Sequence, residues 1–155
     1  MAEIDHPNTA PDKALDTTLD TTTAMPLDGA YDEAMALLLD AKDFAKLYRE
    51  MGEDLKPEQR LRLSHYTMQV TARLTQIMAW LMASKAVAAG ELPADALRGD
   101  DYALPTDGAM SGGDAEAMAR EQADREFTPD RLANLMDQSR ALYLRISRLD
   151  QEMRD

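Results

Sequence analysis

The chain has 155 residues, 45% of them hydrophobic, no cysteine, and 29 acidic against 17 basic residues for a net charge of −12. That length allows one domain. The missing thiols exclude a disulfide framework and a thiolate metal site, and the acidic balance argues against a phosphate-backbone partner, which needs a basic surface.

Ala, Leu and Met supply much of the apolar content, and no segment alternates apolar and polar residues as a half-buried strand does. The expected fold class is therefore all-α. Charge is unevenly placed. Residues 1–29 hold six acids and one base, residues 91–127 hold ten acids and three bases, and 30–90 and 128–155 each balance. This is the pattern of acidic arms around a charge-neutral helical body.

Residues 1–27 are rich in Thr, Asp and Pro and hold too few apolar residues for a packed face, so a disordered acidic arm is expected. The opening MAEIDHPNTAPDK has neither the basic start nor the apolar run of a signal peptide, which predicts a cytoplasmic location. A bundle domain is expected over 28–155.

Its first helix is predicted at about 28–51, with Asp28 as cap and Gly52 as stop. Ala34, Leu38, Ala41, Ala45 and Tyr48, flanked by Leu37, Phe44 and Met51, make a wide core-facing stripe. Pro57 suits the first turn of a second helix, and nothing interrupts the pattern before Gly90, so about 57–89 is expected. Its stripe is Leu63, Tyr66, Val70, Leu74, Ile77, Leu81 and Ala88. At roughly 50 Å this middle helix outreaches its partners.

Residues 91–127 are punctuated by Pro93, Gly99, Pro105, Gly108, Gly112 and Gly113, which predicts a long flexible loop with a helical piece in DAEAMAREQADREF. A third helix is expected at about 128–153, capped by Thr128 with Pro129 in its first turn. Leu132, Leu135, Ser139, Leu142, Ile146, Leu149 and Met153 give it a heptad-like seam, broadened by Met136 and Tyr143. The expected architecture is an antiparallel three-helix bundle with a long middle helix.

Within the second helix, Leu74 to Ser84 carries no charge on any side. A membrane span needs about 20 apolar residues, and this run is near half that, bounded by Arg73 and Lys85. Leu74, Ile77 and Leu81 supply the core stripe. Ala72, Thr75, Ala79, Met82 and Ala83 form a second face, with Met78 and Trp80 on the flanks. A solvent face normally carries charge. Two readings remain: the loop covers this face, or another protein does, and the expected interface is Ala72, Thr75, Met78, Ala79, Trp80, Met82 and Ala83. Arg140, Arg145 and Arg148 on the third helix are candidate docking charges for an acidic partner, or they pair along their own helix with Asp137, Asp150 and Glu152.

Catalytic chemistry is not expected. Ser64 and His65 are neighbours that diverge on a helix, and there is no i, i+4 His/carboxylate metal pair, glycine-rich phosphate loop or dinucleotide fingerprint. No cofactor and no metal are predicted.

Three stretches together, EAMALLLDAKDFA, TARLTQIMAWLMASKAVAAGEL and LANLMDQSRALYLRISRLD, resemble the RcdA (regulator of CtrA degradation) family of alphaproteobacteria, a domain-of-unknown-function family. The resemblance covers about residues 30–150. It implies a three-helix bundle that forms a homodimer and serves as an adaptor for the ClpXP protease. Such an adaptor works beside a response-regulator-type adaptor (CpdR-like) and a cyclic-di-GMP effector (PopA-like), and it tethers cell-cycle regulators without chemistry. The alternative is a dimeric helical scaffold unrelated to proteolysis. One departure stands out: the family's flexible extension after the third helix has no counterpart before Asp155.

Overall fold

Apolar residues at three- and four-residue spacing make three long helices, α1 (Thr21–Met51), α2 (Pro57–Ala88) and α5 (Asp130–Arg154). Two shorter ones, α3 (Gly108–Ser111) and α4 (Ala115–Asp124), lie between α2 and α5. The computed structural model describes residues 21–155 apart from Asp107, and among these there is no strand.

Local signals set most boundaries. Pro57 occupies the first turn of α2, and the Gln59 side chain accepts from the Lys56 N–H at 3.1 Å. Gly90, at φ 74°, lets the Glu91 N–H turn back to the Ala86 carbonyl at 2.8 Å and end α2. Asp114 caps α4 by accepting from Ala117 N at 2.8 Å. Thr128 does not cap α5 as expected. Its hydroxyl donates back to the Asp124 carbonyl at 2.8 Å, and α5 begins after Pro129.

The helix expected from residue 28 already starts at Thr21, which corrects the disordered reading of 21–27; residues 1–20 lie outside the described residues. Extending an existing helix adds a hydrogen bond for each residue ordered, so propagation costs little once the Leu27–Phe44 stretch is packed. α1 is thereby nearly as long as α2, and the expected overhang of the middle helix survives only against α5.

Side-chain pairings give the helix directions. Asp28 meets Lys85 at 3.1 Å, and Tyr48 donates to the Arg60 carbonyl at 2.8 Å, so α1 and α2 are antiparallel. Asp40 pairs with Arg131 and Glu33 with Arg145, so α1 is antiparallel to α5 as well. Arg73 reaches Ser139 and Trp80 reaches Asp150, which makes α2 and α5 parallel. The all-α class stands, but the expected antiparallel bundle does not. The second and third long helices run the same way, and two further helices separate them in the chain. Short connections force antiparallel neighbours, whereas a long crossover lets the chain return before the next helix starts.

That return path is a strap along the α2–α5 groove, not the open loop expected. Arg154 donates to the Arg98 and Gly99 carbonyls, each at 3.0 Å, and Tyr143 donates to the Pro105 carbonyl. Further on, Arg73 Nε donates to the Met110 carbonyl at 2.7 Å, and Glu121 pairs with Arg140. Leu97 and Leu104 of the strap are buried.

The core comprises Ala34, Leu37, Ala41 and Phe44 of α1, Leu63, Val70, Leu74, Ile77 and Leu81 of α2, and Leu132, Leu135, Leu142 and Ile146 of α5. Each fully buried Leu or Ile contributes about 1.5–3 kcal/mol by leaving water. Of the predicted stripes, Met51, Ala88 and Met153 fall outside the core and are exposed, as helix ends.

Candidate functional site

α2 is enclosed on three sides, by α1, α5 and the strap, so its buried arc is wider than a two-partner helix would have. Of the seven residues expected at an interface, Met78, Trp80 and Ala83 are turned inward and buried. Thr75, Ala79 and Met82 are exposed and Ala72 is half-buried. The strap lies on the far side of the helix, so it does not cover them.

These four belong to a longer row. Leu61, His65, Met68, Ala72, Thr75, Ala79, Met82, Ala86 and Ala89 alternate in steps of four and three, and each is exposed or half-buried. Leu61 is 74% exposed, Met68 69% and Met82 59%, values that large apolar side chains seldom reach in one line. From Leu63 to Ser84 the one charged residue is Arg73, and Arg73 is buried. The solvent face of α2 is therefore uncharged for roughly 33 Å. Beside its C-terminal end Lys85 leans over the Tyr31 ring, its Nζ 4.3 Å from the centroid.

The opposite side of α2 carries the polar chemistry. Tyr66, Arg73 and Trp80, seven residues apart, form one line, and each donates across the groove. Tyr66 Oη donates to Asp124 Oδ2 at 2.6 Å. Arg73 Nη1 donates to Ser139 Oγ at 2.9 Å and to the Met136 carbonyl at 3.3 Å. Trp80 Nε1 donates to Asp150 Oδ1 at 2.8 Å, and the same carboxylate takes the Leu104 N–H at 3.3 Å and Arg154 Nε at 3.1 Å. Burial and the adjoining Asp124 carboxylate both raise the Tyr66 pKa well above 10. Arg73 is lowered to about 10, first by burial and then by repulsion from Arg140.

A pH effect follows from Tyr66. Its phenol stays protonated in the fold, so its contribution is complete below the unfolded-state pKa of about 10 and is lost as pH rises above it. The stability advantage of the native chain over Tyr66→Phe is expected to be constant at neutral pH and to shrink above pH 10, measured by urea denaturation across that range. An advantage that stays constant to pH 12 would contradict this assignment.

The candidate docking charges are dispersed. Arg140 is tied to Glu121 with its side chain 18% exposed, and Arg145 is tied to Glu33. Arg148 is exposed in a shallow groove with Ala30, Ile146 and Leu149. The pairs run between helices, not along α5 as the spacing suggested, except that Arg154 does meet Asp150. Sequence reasoning missed Arg73, Glu121 and Asp150 as buried charges. For Arg73 the signal was present: it stands midway between Tyr66 and Trp80 on a seven-residue repeat. Glu121 and Asp150 offered none, because their burial depends on where the strap lies.

Among the described residues no cluster of three or more His, Asp or Glu is placed to hold a metal, and no helix is long and apolar enough to cross a membrane. The arrangement is that of an all-helical protein with a polar strap on one side of its central helix and a bare apolar face on the other. Over residues 19–155 the chain matches the family described as protein of unknown function DUF1465, and it belongs to that family. It is similar to RcdA from Caulobacter crescentus CB15, whose crystal structure superposes with a TM-score of 0.61 at 26% identity, covering 82% of this chain and 89% of that one. The family is thus RcdA-like. No curated protein matches the chain.

Proposed function

We propose that this protein is a non-enzymatic adaptor in regulated proteolysis, tethering cell-cycle regulatory proteins to the ClpXP protease through helical contacts. The likeness to RcdA along four-fifths of the chain carries this reading, and the bare face of α2 supports it. A tether needs contact surface and no reacting groups, because holding cargo beside a protease raises its effective concentration. A response-regulator-type adaptor and a cyclic-di-GMP effector are the partners that accompany this role.

The α2 row is the surface for self-association. Its heptad spacing alternates Leu61, Met68 and Met82 with Ala72, Ala79 and Ala86, a large-and-small pattern that suits close packing against an antiparallel copy. Ala79→Glu or Met82→Glu is expected to shift sedimentation from dimer toward monomer while leaving helicity unchanged by circular dichroism. Unchanged sedimentation and unchanged cargo binding would remove the α2 face from the interface.

The adaptor role itself is tested with purified components. ClpXP and its priming adaptor should degrade a cell-cycle substrate faster when this protein is added. Dimerisation without acceleration of any such substrate would favour a helical scaffold unrelated to proteolysis, which the same α2 row would also serve.

A further inference from the structure

The two ends of the apolar row on α2 differ in shape and in charge. Leu61, 74% exposed, projects from the first turns, whereas Ala86 and Ala89 leave the last turns without a large side chain. Those last turns border a groove of about 350 Å³, lined by Tyr31 of α1 and by Met82, Lys85, Ala86, Ala89 and Glu91. Lys85 brings no free charge to it, because it pairs with Asp28 at 3.1 Å and leans over the Tyr31 ring. Arg60 beside Leu61 and Glu91 in the groove are both exposed, and neither forms an ion pair among the described residues. Leu61 and Ala89 lie equally far from Thr75 along the helix, and so do Met68 and Met82.

We infer that two copies of the chain pair through α2 in antiparallel register about Thr75, each seating its Leu61 in the other's groove beside Tyr31, with Arg60 against Glu91. The inference rests on the self-association proposed above and adds its register. At the two-fold axis Thr75 meets its own copy, and Ala72 and Ala79 on either side let the backbones approach closely. Further out, Met68 packs on Met82, two thioethers that adapt to each other's shape.

Charge and shape both select this arrangement. A parallel pair would set Glu91 against Glu91 and Arg60 against Arg60, like charges that oppose association, and would leave both grooves without a side chain to fill them. An antiparallel pair shifted by one heptad would set Leu61 on the bulky Met82, or carry it past the end of α2.

The chain has no cysteine, so an introduced thiol reports on its own position alone. Mild oxidation of Thr75→Cys is expected to give a disulfide-linked dimer on a non-reducing gel. Only a residue at the axis meets its own copy within the roughly 7 Å that a disulfide spans between Cα atoms. Leu61→Cys should stay unlinked by itself and link when mixed with Ala89→Cys. In sedimentation, Glu91→Arg should weaken the dimer severalfold, and Arg60→Glu/Glu91→Arg should restore it. All these positions are exposed, and circular dichroism of the variants should match the native chain. A native dimer in which Thr75→Cys stays unlinked, or Leu61→Cys links to itself, overturns the register and leaves self-association standing. A native chain that sediments as a monomer at every concentration overturns both.

Discussion

Trp80→Ala is expected to destabilise the chain by about 3–5 kcal/mol, the range for removing a large aromatic from a packed core. Trp80 is 1% exposed and sits where α2, α5 and the strap meet. The indole fills that junction, and its N–H is one of three donors on the buried Asp150 carboxylate. Truncation therefore opens a cavity and also strips a buried charge of a partner. Trp80→Phe separates the two effects: it keeps most of the ring volume and should cost about 1.5–3 kcal/mol, the value of a hydrogen bond to a charged group. Because Trp80 is the single tryptophan, unfolding in urea must be followed by circular dichroism. A loss near the average of about 1 kcal/mol for Trp80→Ala would show that the junction is not the anchor described.

Glu121→Ala is expected to be similarly severe, about 3–5 kcal/mol, because it breaks a buried pair and leaves its cation behind. The Glu121 side chain is 7% exposed and lies between Arg140 and Arg125. Arg125 keeps Asp137 when Glu121 is lost, but Arg140 makes no second ion pair among the described residues, and Arg73 loses a nearby negative charge. The double variant Glu121→Leu/Arg140→Met should recover most of the loss, since replacing both members of a buried pair by apolar groups is often neutral. Urea denaturation of the two variants checks this. A double variant no better than the single would mean that the pair's place in the packing, not its charge, is what matters.

Both predictions concern contacts that connect the strap to the helices, and those were the least legible part of the sequence. Helix periodicity located α2 to within a residue at its end, and it placed Leu63, Tyr66, Val70, Leu74, Ile77 and Leu81 on the buried side. Which residues of α2 face outward was legible by half. An uncharged α2 was evident, but a period of 3.6 residues does not tell how wide the buried arc is. Trp80, Met78 and Ala83 went into the molecule because three neighbours surround α2, while Thr75, Ala79 and Met82 stayed outside. The arginines of α5 show the same limit. Arg140 has Asp137 three positions before it on its own helix, yet it pairs with the more buried Glu121, and Arg145, with no acid at that spacing, pairs with Glu33 of α1.

The sequence by itself determined the all-α class, the helix cores and most of their stop signals, because these rest on residues close together in the chain. The resemblance that placed the chain near RcdA was legible there too, in three stretches that lie on the long helices. Only the tertiary structure decided that α5 runs parallel to α2, that the segment between them forms a strap in their groove, and that Arg73 is buried with no ion pair among the described residues. Those facts depend on the path of a connection whose glycines and prolines permit many routes. The route taken is set by donors and acceptors far apart in sequence, Trp80 with Asp150, Tyr66 with Asp124 and Arg140 with Glu121, and no local pattern encodes such pairings.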